Sequence, residues 1–377
     1  MAGIYLHIPF CKRACHYCNF HFSTSLANKN DFVSALLKEI KLQQQYLQHE
    51  IIETIYFGGG TPSLLTNDEL RNFFSSLKNS FNISKDAEIT LEANPDDVTV
   101  EKLKDWKNAG INRLSIGVQS FFDEDLQWMN RVHNAKQAAE SITNAFAEGF
   151  NNISIDFIYG TPTLSDINWK KNIDKAIEYG IPHISCYALT VEPKTALAKM
   201  IERKKIGDVN QSDQARQFLL LMNWLRTAGY EHYEISNFAK PDYRSKHNSS
   251  YWQGKNYLGL GPSAHSYNGD FRQWNVANNV SYIESLKKDE LIFEKEELTS
   301  TQKLNDYIMT SLRTTEGCDL NYVTNRFGIE QTDKLLESAK AHFKNSILII
   351  DDSKIFLTDE GKLFADGIAA DLFFGKV

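Results

Sequence analysis

No stretch of this 377-residue chain approaches the ~18 consecutive apolar residues that a membrane-spanning helix needs. The opening run, Met1-Ala2-Gly3-Ile4-Tyr5-Leu6-His7-Ile8-Pro9, has no basic segment followed by an apolar one. A secretory signal is therefore not expected. Gly3 stands one place too late for a myristoylation motif, and the expected compartment is the cytoplasm. Cysteines are few and odd in number, five in all, with three bunched between Cys11 and Cys18. That pattern argues against a disulfide framework and for a metal or redox role. Basic charge is not in excess: 41 Lys and Arg face 48 Asp and Glu, for a net charge of −7. General attraction to nucleic acid or to anionic membranes is excluded on that balance. Low-complexity segments are missing too. With 42% hydrophobic and 24% charged residues, the composition is that of an ordinary globular protein. At about 150 residues per domain, the length suggests two domains.

What is present is an alternation of short β-rich runs and longer amphipathic ones. Strands are expected at Ile4 to Ile8, Thr54 to Phe57, Glu88 to Glu92, Arg113 to Val118, Ile153 to Ile158, His183 to Leu189 and His232 to Ile235. Helical patterns lie between most of them, as in Asp31 to Leu47 with Phe32, Leu36, Ile40 and Leu47. This reads as βαβ units around a parallel sheet, six or seven of them. The strand ends are polar: Gly58-Gly59-Gly60-Thr61-Pro62, then Glu92 with Asn94-Pro95, Gln119, Asp156 with Tyr159-Gly160, and Glu234. In parallel barrels that rim carries the active site. For any one residue there, a cap or a turn is an equal reading.

Near Leu298 the pattern changes to three helices, around Thr299 to Leu312, Leu320 to Phe327 and Gln331 to Phe343. Two short runs follow, Ile347 to Ile350 and Ile355 to Leu357, then a final helix from Asp359. The expected division is therefore 1–297 and 298–377, the second a winged-helix-like α+β domain. From Leu298 onward nine Lys and Arg meet twelve Asp and Glu. A basic face is missing, so an interaction or lid module fits better than a nucleic-acid binder.

Cys11-Lys12-Arg13-Ala14-Cys15-His16-Tyr17-Cys18 directly follows the first strand. Iron–sulfur clusters are held by cysteine thiolates, normally four. Three in one loop leave one iron of a [4Fe-4S] cube open, and an open position is what metal chemistry requires. The rival is zinc held by the three cysteines and one of His7, His16 or His21, although no second pair of ligands is present. Cys186 and Cys318 read as small buried hydrophobes.

Tyr5 to Cys18, together with Tyr56-Phe57-Gly58-Gly59-Gly60-Thr61-Pro62, resembles the radical-SAM superfamily. More narrowly it is similar to the branch that holds oxygen-independent coproporphyrinogen III oxidase and the heme chaperones of the HemW group. Leu114 to Phe121, Asp156 to Gly160 and Gly259 to Ala264 extend the likeness over nearly the whole chain. The resemblance implies a partial (βα)6-type TIM barrel. It implies a [4Fe-4S] cluster on Cys11, Cys15 and Cys18, and S-adenosyl-L-methionine (SAM) chelating the remaining iron. One electron into the cluster would cleave SAM to methionine and a 5′-deoxyadenosyl radical. Tyr5 would lie near the cluster. Gly59, Gly60 and Thr61 would meet the SAM amino group, and Glu92, Gln119, Arg131 and Asp156 would contact the rest of SAM.

Two departures turn the expectation away from the oxidase. Its cysteine motif continues to a fourth cysteine, where this chain has Phe20, and it carries a long segment before the first strand, where only four residues precede Tyr5. A third feature, His247-Asn248-Ser249-Ser250-Tyr251-Trp252, matches the heme motif of the chaperone group. His247 would offer an imidazole to iron, and Tyr251 or Trp252 would stack on the porphyrin. The plain alternative for this string is a structural turn, and His265 is a second candidate ligand. The implied partners are heme, an apo-hemoprotein acceptor and an electron donor for the cluster. A homodimer, and weak membrane association through an acceptor, are both compatible with this reading.

Overall fold

The computed structural model describes residues 2–375. Six consecutive strands lie side by side and parallel: β1 (Ala2–Ile8), β2 (Ile52–Gly59), β3 (Ile83–Ala93), β4 (Arg113–Gln119), β5 (Ile153–Tyr159) and β6 (His183–Ala188). Each carries buried apolar residues at its centre, where both faces are covered. Ile4, Leu6 and Ile8 of β1, Phe57 of β2, Leu114 and Ile116 of β4 and Phe157 of β5 are all fully buried. Helices return the chain between strands and press one apolar stripe onto the sheet. Lys29–Leu42 buries Phe32, Leu36 and Ile40, and Asn67–Ser80 buries Leu70, Phe73 and Leu77. Each large apolar side chain so buried stabilises the fold by about 1.5–3 kcal/mol. Side-chain oxygens close the helix starts, as Thr66 does with Glu69 in a reciprocal box.

The sheet does not close. It continues from β6 into a hairpin of β7 (Glu231–Glu234) and β8 (Asn237–Ala239), with β8 antiparallel to both β6 and β7. From β1 it continues through β9 (Tyr257–Leu260), which is parallel, into antiparallel β10 (His265–Tyr267), β11 (Phe271–Asn275) and β12 (Phe293–Glu297). The twelve strands form one open sheet. The expected seventh parallel strand is thus half of a hairpin. Glu234 holds its turn, accepting from Ser236 N and Asn237 Nδ2, and does not join the site at the rim.

Beyond β12 a second apolar cluster forms around Leu304, Ile308, Val323, Leu335, Ile355 and Ile368. Its helices are Ser300–Leu312, Leu320–Phe327 and Ile329–Lys344, followed by β14 (Leu348–Asp351) and β15 (Lys354–Leu357). A two-residue strand, β13 (Cys318–Asp319), completes a three-stranded sheet with them. Cys186 and Cys318 are buried, as expected of small hydrophobes. No helix among the described residues is long and apolar enough to cross a membrane.

Candidate functional site

The loop after β1 folds back on itself. Cys11 N donates to Ser23 O and Ser23 N to Pro9 O, which closes its base. Its far side is tied to the segment after β4: His16 N donates to Met129 O, and Asn130 Nδ2 to Ala14 O. Lys12 Nζ reaches Asp96 (2.7 Å) and Asp97 (2.6 Å) beyond β3. These ties turn Cys11, Cys15 and Cys18 toward a cavity of about 430 Å³ at the C-terminal ends of the parallel strands.

Gly59, Gly60 and Thr61 from β2 line the same cavity, as do Glu92 from β3, Gln119 from β4, Asp156 from β5, and Arg131. Gly59 adopts φ +102°, a left-handed conformation open to glycine. At Gly60 a Cβ would lie 2.7 Å from Phe10 O and 2.8 Å from Ile8 O, so no larger residue fits. Gly117 lets two side chains in: a Cβ there would meet Gln119 Nε2 at 3.0 Å and Arg131 Nη2 at 3.1 Å. Gln119 sits at φ +64°, where β4 slips register against β5, and this aims it off the strand.

Arg131 organises the centre. Its Nη1 donates to Cys15 Sγ (3.4 Å) and to Tyr17 OH (3.5 Å), and its Nη2 donates to Asn94 Oδ1 (2.6 Å) and Gly117 O (3.0 Å). Its Nε is buried with no protein partner, which leaves a donor for a ligand. Asn94 Nδ2 donates to Thr61 Oγ1 (3.2 Å), which donates to Cys11 Sγ (3.5 Å). Burial pushes the Cys11 thiol up to about 11, against the Thr61 hydrogen bond, and pushes Cys18 up as well. Binding a metal must therefore displace protons from these sulfurs.

Two carboxyls face the thiols across the cavity. Glu92 accepts from Tyr56 OH (2.8 Å) and Gly59 N (3.2 Å). Burial raises it to about 7, with the charge of Asp156 adding to the rise. Asp156 accepts from Ser115 Oγ (3.2 Å) and is raised by burial to about 6. A cationic ligand would lower both.

The zinc alternative does not gather its ligands. His7 Nε2 bonds His21 O and His16 Nδ1 bonds Trp128 O, both at 2.8 Å; His21 Nε2 bonds Asn279 Oδ1 at 2.7 Å. Among the described residues no three His, Cys, Asp or Glu side chains converge on a single ion. A cube spreads its ligands over separate irons and needs no such convergence.

Two expected residues lie elsewhere. Tyr5 lines a second, larger cavity rather than the one at the cysteines, and its OH bonds His7 Nδ1 (3.1 Å). His247, expected to face a porphyrin, is 1% exposed. The string after Ser245 is a helix, Lys246–Trp252, not a turn, and it points this ring inward. Nδ1 bonds Thr54 Oγ1 and Nε2 bonds Tyr251 OH, both at 2.8 Å, and the ring stacks on Tyr56. Neither nitrogen is open to iron in this arrangement. Asn94 and Tyr17 carry no sequence signal for their contacts with Arg131, beyond Asn94 standing at a strand end.

The model of the radical SAM superfamily matches residues 5–176. A heme chaperone HemW of Mycobacterium tuberculosis is 34% identical over 98% of this chain and 94% of its own length. That of Bacillus subtilis is 33% identical over 98% of both. The chain belongs to the HemW family of radical-SAM proteins. Its fold is shared with Escherichia coli coproporphyrinogen III oxidase, a radical-SAM enzyme, at TM-score 0.86 and 22% identity, over 99% of this chain and 90% of the other. Membership of the HemW family implies a [4Fe-4S] cluster and SAM. The three thiols at one cavity mouth, the orphaned Arg131 Nε and the side-chain-free cradle at Gly60 fit both.

Proposed function

We propose that this chain binds heme and passes it to apo-hemoproteins, and that it holds a [4Fe-4S] cluster and SAM while doing so. On this reading residues 1–297 hold the cofactors and 298–377 form the accessory domain. The observation that carries the proposal is full-length likeness to heme chaperones combined with a loop that ends at three cysteines. Phe20 stands where the oxidase has a fourth, and it is 67% exposed.

Cys11, Cys15 and Cys18 would each take one iron. Bound there, the cluster supplies an electron to SAM, drawn from an external donor. Arg131 holds a carboxylate by charge-assisted hydrogen bonds. Glu92, raised to about 7 by burial, gives up its proton as an amine or sulfonium approaches. The backbone at Gly59 and Gly60 admits the amino group at close range, and Asp156 accepts from ribose hydroxyls. Tyr56 and Ser115 orient the two carboxyls.

The test is anaerobic. The reconstituted chain, loaded with hemin, is mixed with an apo-hemoprotein, and the acceptor's Soret band is followed. Growth of that band with loss of heme from the chain is expected. Robust vinyl formation from coproporphyrinogen III would instead make the chain an oxidase and overturn the proposal.

A further inference from the structure

After β6 the chain runs along the mouth of the cysteine cavity, which Ala188, Leu189, Thr190 and Glu192 line. A short helix, Ala196–Glu202, follows. It is seated on the cysteine loop itself. Leu197 N donates to His16 O at 2.7 Å. The Leu197 side chain is buried with Leu126, Met129, Ile158 and Leu189, and Tyr17, between two of the cysteines, packs against them. Leu197 and Ile201, four apart, therefore face inward, while Lys199 and Arg203, also four apart, face out.

We propose that this outward face docks a small acidic electron carrier, the donor that a cluster on the loop requires. The inference rests on the cluster-bearing reading above and gives the donor its place. Between Lys194 and Lys205 stand five cations, Lys194, Lys199, Arg203, Lys204 and Lys205, against one anion, Glu202. The chain as a whole has the opposite balance, with a net charge of −7. All five cations are exposed, and none makes a side-chain hydrogen bond or an ion pair among the described residues. Arg13, in the cysteine loop, adds a sixth. It is exposed, its Nη1 donates to Arg131 O (3.2 Å), and it has no carboxylate partner among the described residues.

Helix electrostatics do not explain the cluster of charge. The dipole favours cations at the C-terminal turn, which covers Lys199 and Arg203, but it opposes Lys194 ahead of the first turn. An acidic chain repels nucleic acid and anionic membranes over most of its surface. A small acidic carrier meets the same repulsion everywhere except here, so the field turns it toward the cysteine loop. Electron-transfer encounters are small and weak, and opposite charges raise their rates by about 10- to 1,000-fold. One electron passes from the reduced carrier, which is oxidised by one equivalent, to the bound cluster. No bond forms or breaks, and no proton moves.

The probe is a purified flavodoxin, an acidic one-electron flavoprotein. The full reconstituted chain is compared with Lys199→Glu/Arg203→Glu/Lys204→Glu and with Lys78→Glu/Lys85→Glu, two exposed lysines at the far end of the sheet. Two quantities are read anaerobically: the affinity for flavodoxin, and the rate at which its hydroquinone bleaches the cluster's visible band. The patch variant should bind about 10-fold or more weakly and bleach correspondingly slowly, with the difference shrinking as salt is raised. Dithionite should bleach it at close to the wild-type rate. Unchanged affinity in the patch variant would overturn the proposal, as would an equal loss in the far-end variant. Loss of retention on phosphatidylglycerol vesicles, with flavodoxin bound as before, would make the face a membrane contact and also overturn it. If the patch variant takes up less iron, Lys199→Gln/Arg203→Gln/Lys204→Gln replaces it. A wild-type chain that holds no iron would sink the cluster reading, while the affinity would still decide the surface.

Discussion

Arg131 donates to the Sγ of Cys15 across 3.4 Å. Through Asn94 and Thr61 the same guanidinium is linked to Cys11, so two thiols of the loop share one hydrogen-bonded path. The path explains why a partly buried cation is tolerated: sulfur, phenol, amide and carbonyl all accept from it. Arg131→Met should therefore weaken SAM binding by about 2 kcal/mol, roughly 30-fold. Equilibrium binding to the reconstituted chain measures this. Unchanged affinity with a full cluster would remove Arg131 from the ligand's surroundings.

Cys15→Ala should abolish the cluster and spare the fold. Iron per chain should fall from about four to about none. The melting midpoint of the metal-free form should move by only a few degrees, because the loop's backbone ties do not pass through sulfur. Iron retained at the wild-type level would refute the ligand assignment.

Gly60→Ala drives a methyl against Ile8 O and Phe10 O. Backbone atoms cannot give way as a side-chain end can. A loss of about 1–3 kcal/mol is expected, read as a lower denaturation midpoint, along with impaired SAM binding. A variant as stable as wild type would show that β1 and β2 can part at this point.

Burial raises Glu92 to about 7 and Asp156 to about 6. Both lie above the ~4 of an unfolded carboxyl. The folded metal-free chain thus holds protons that the unfolded chain releases. Its stability is greatest below about pH 4 on this account, and is lost as pH rises through 6 and 7. Glu92→Gln should flatten that decline, seen in melting curves between about pH 5 and pH 8. A slope equal to wild type would mean that Glu92 is ionised without its ligand.

The residues most legible in the sequence are those whose chemistry is local. Cys11, Cys15 and Cys18 sit in one loop, and Glu92, Gln119 and Asp156 announce themselves as polar residues ending or interrupting apolar strands. The six parallel strands were legible because β-branched and aromatic residues cluster in short runs between helical patterns. What escaped is set by packing. The strands β8 and β10 have three residues and β13 has two, too short for any periodicity to register. The string from His247 to Trp252 gave its composition but not its direction. Only the seating of the helix against Thr54 and Glu88 turns His247 inward and leaves Trp252 at the cavity.

The ties that hold the cysteine loop, from Lys12 to Asp96 and Asp97 and from His16 and Ala14 to the segment after β4, involve no metal at all. A seat built in this way is a socket rather than a knot. Removal of the inorganic core would leave the polypeptide around it folded. Reloading is then a matter of recharging a standing receptacle, with no refolding of the loop required.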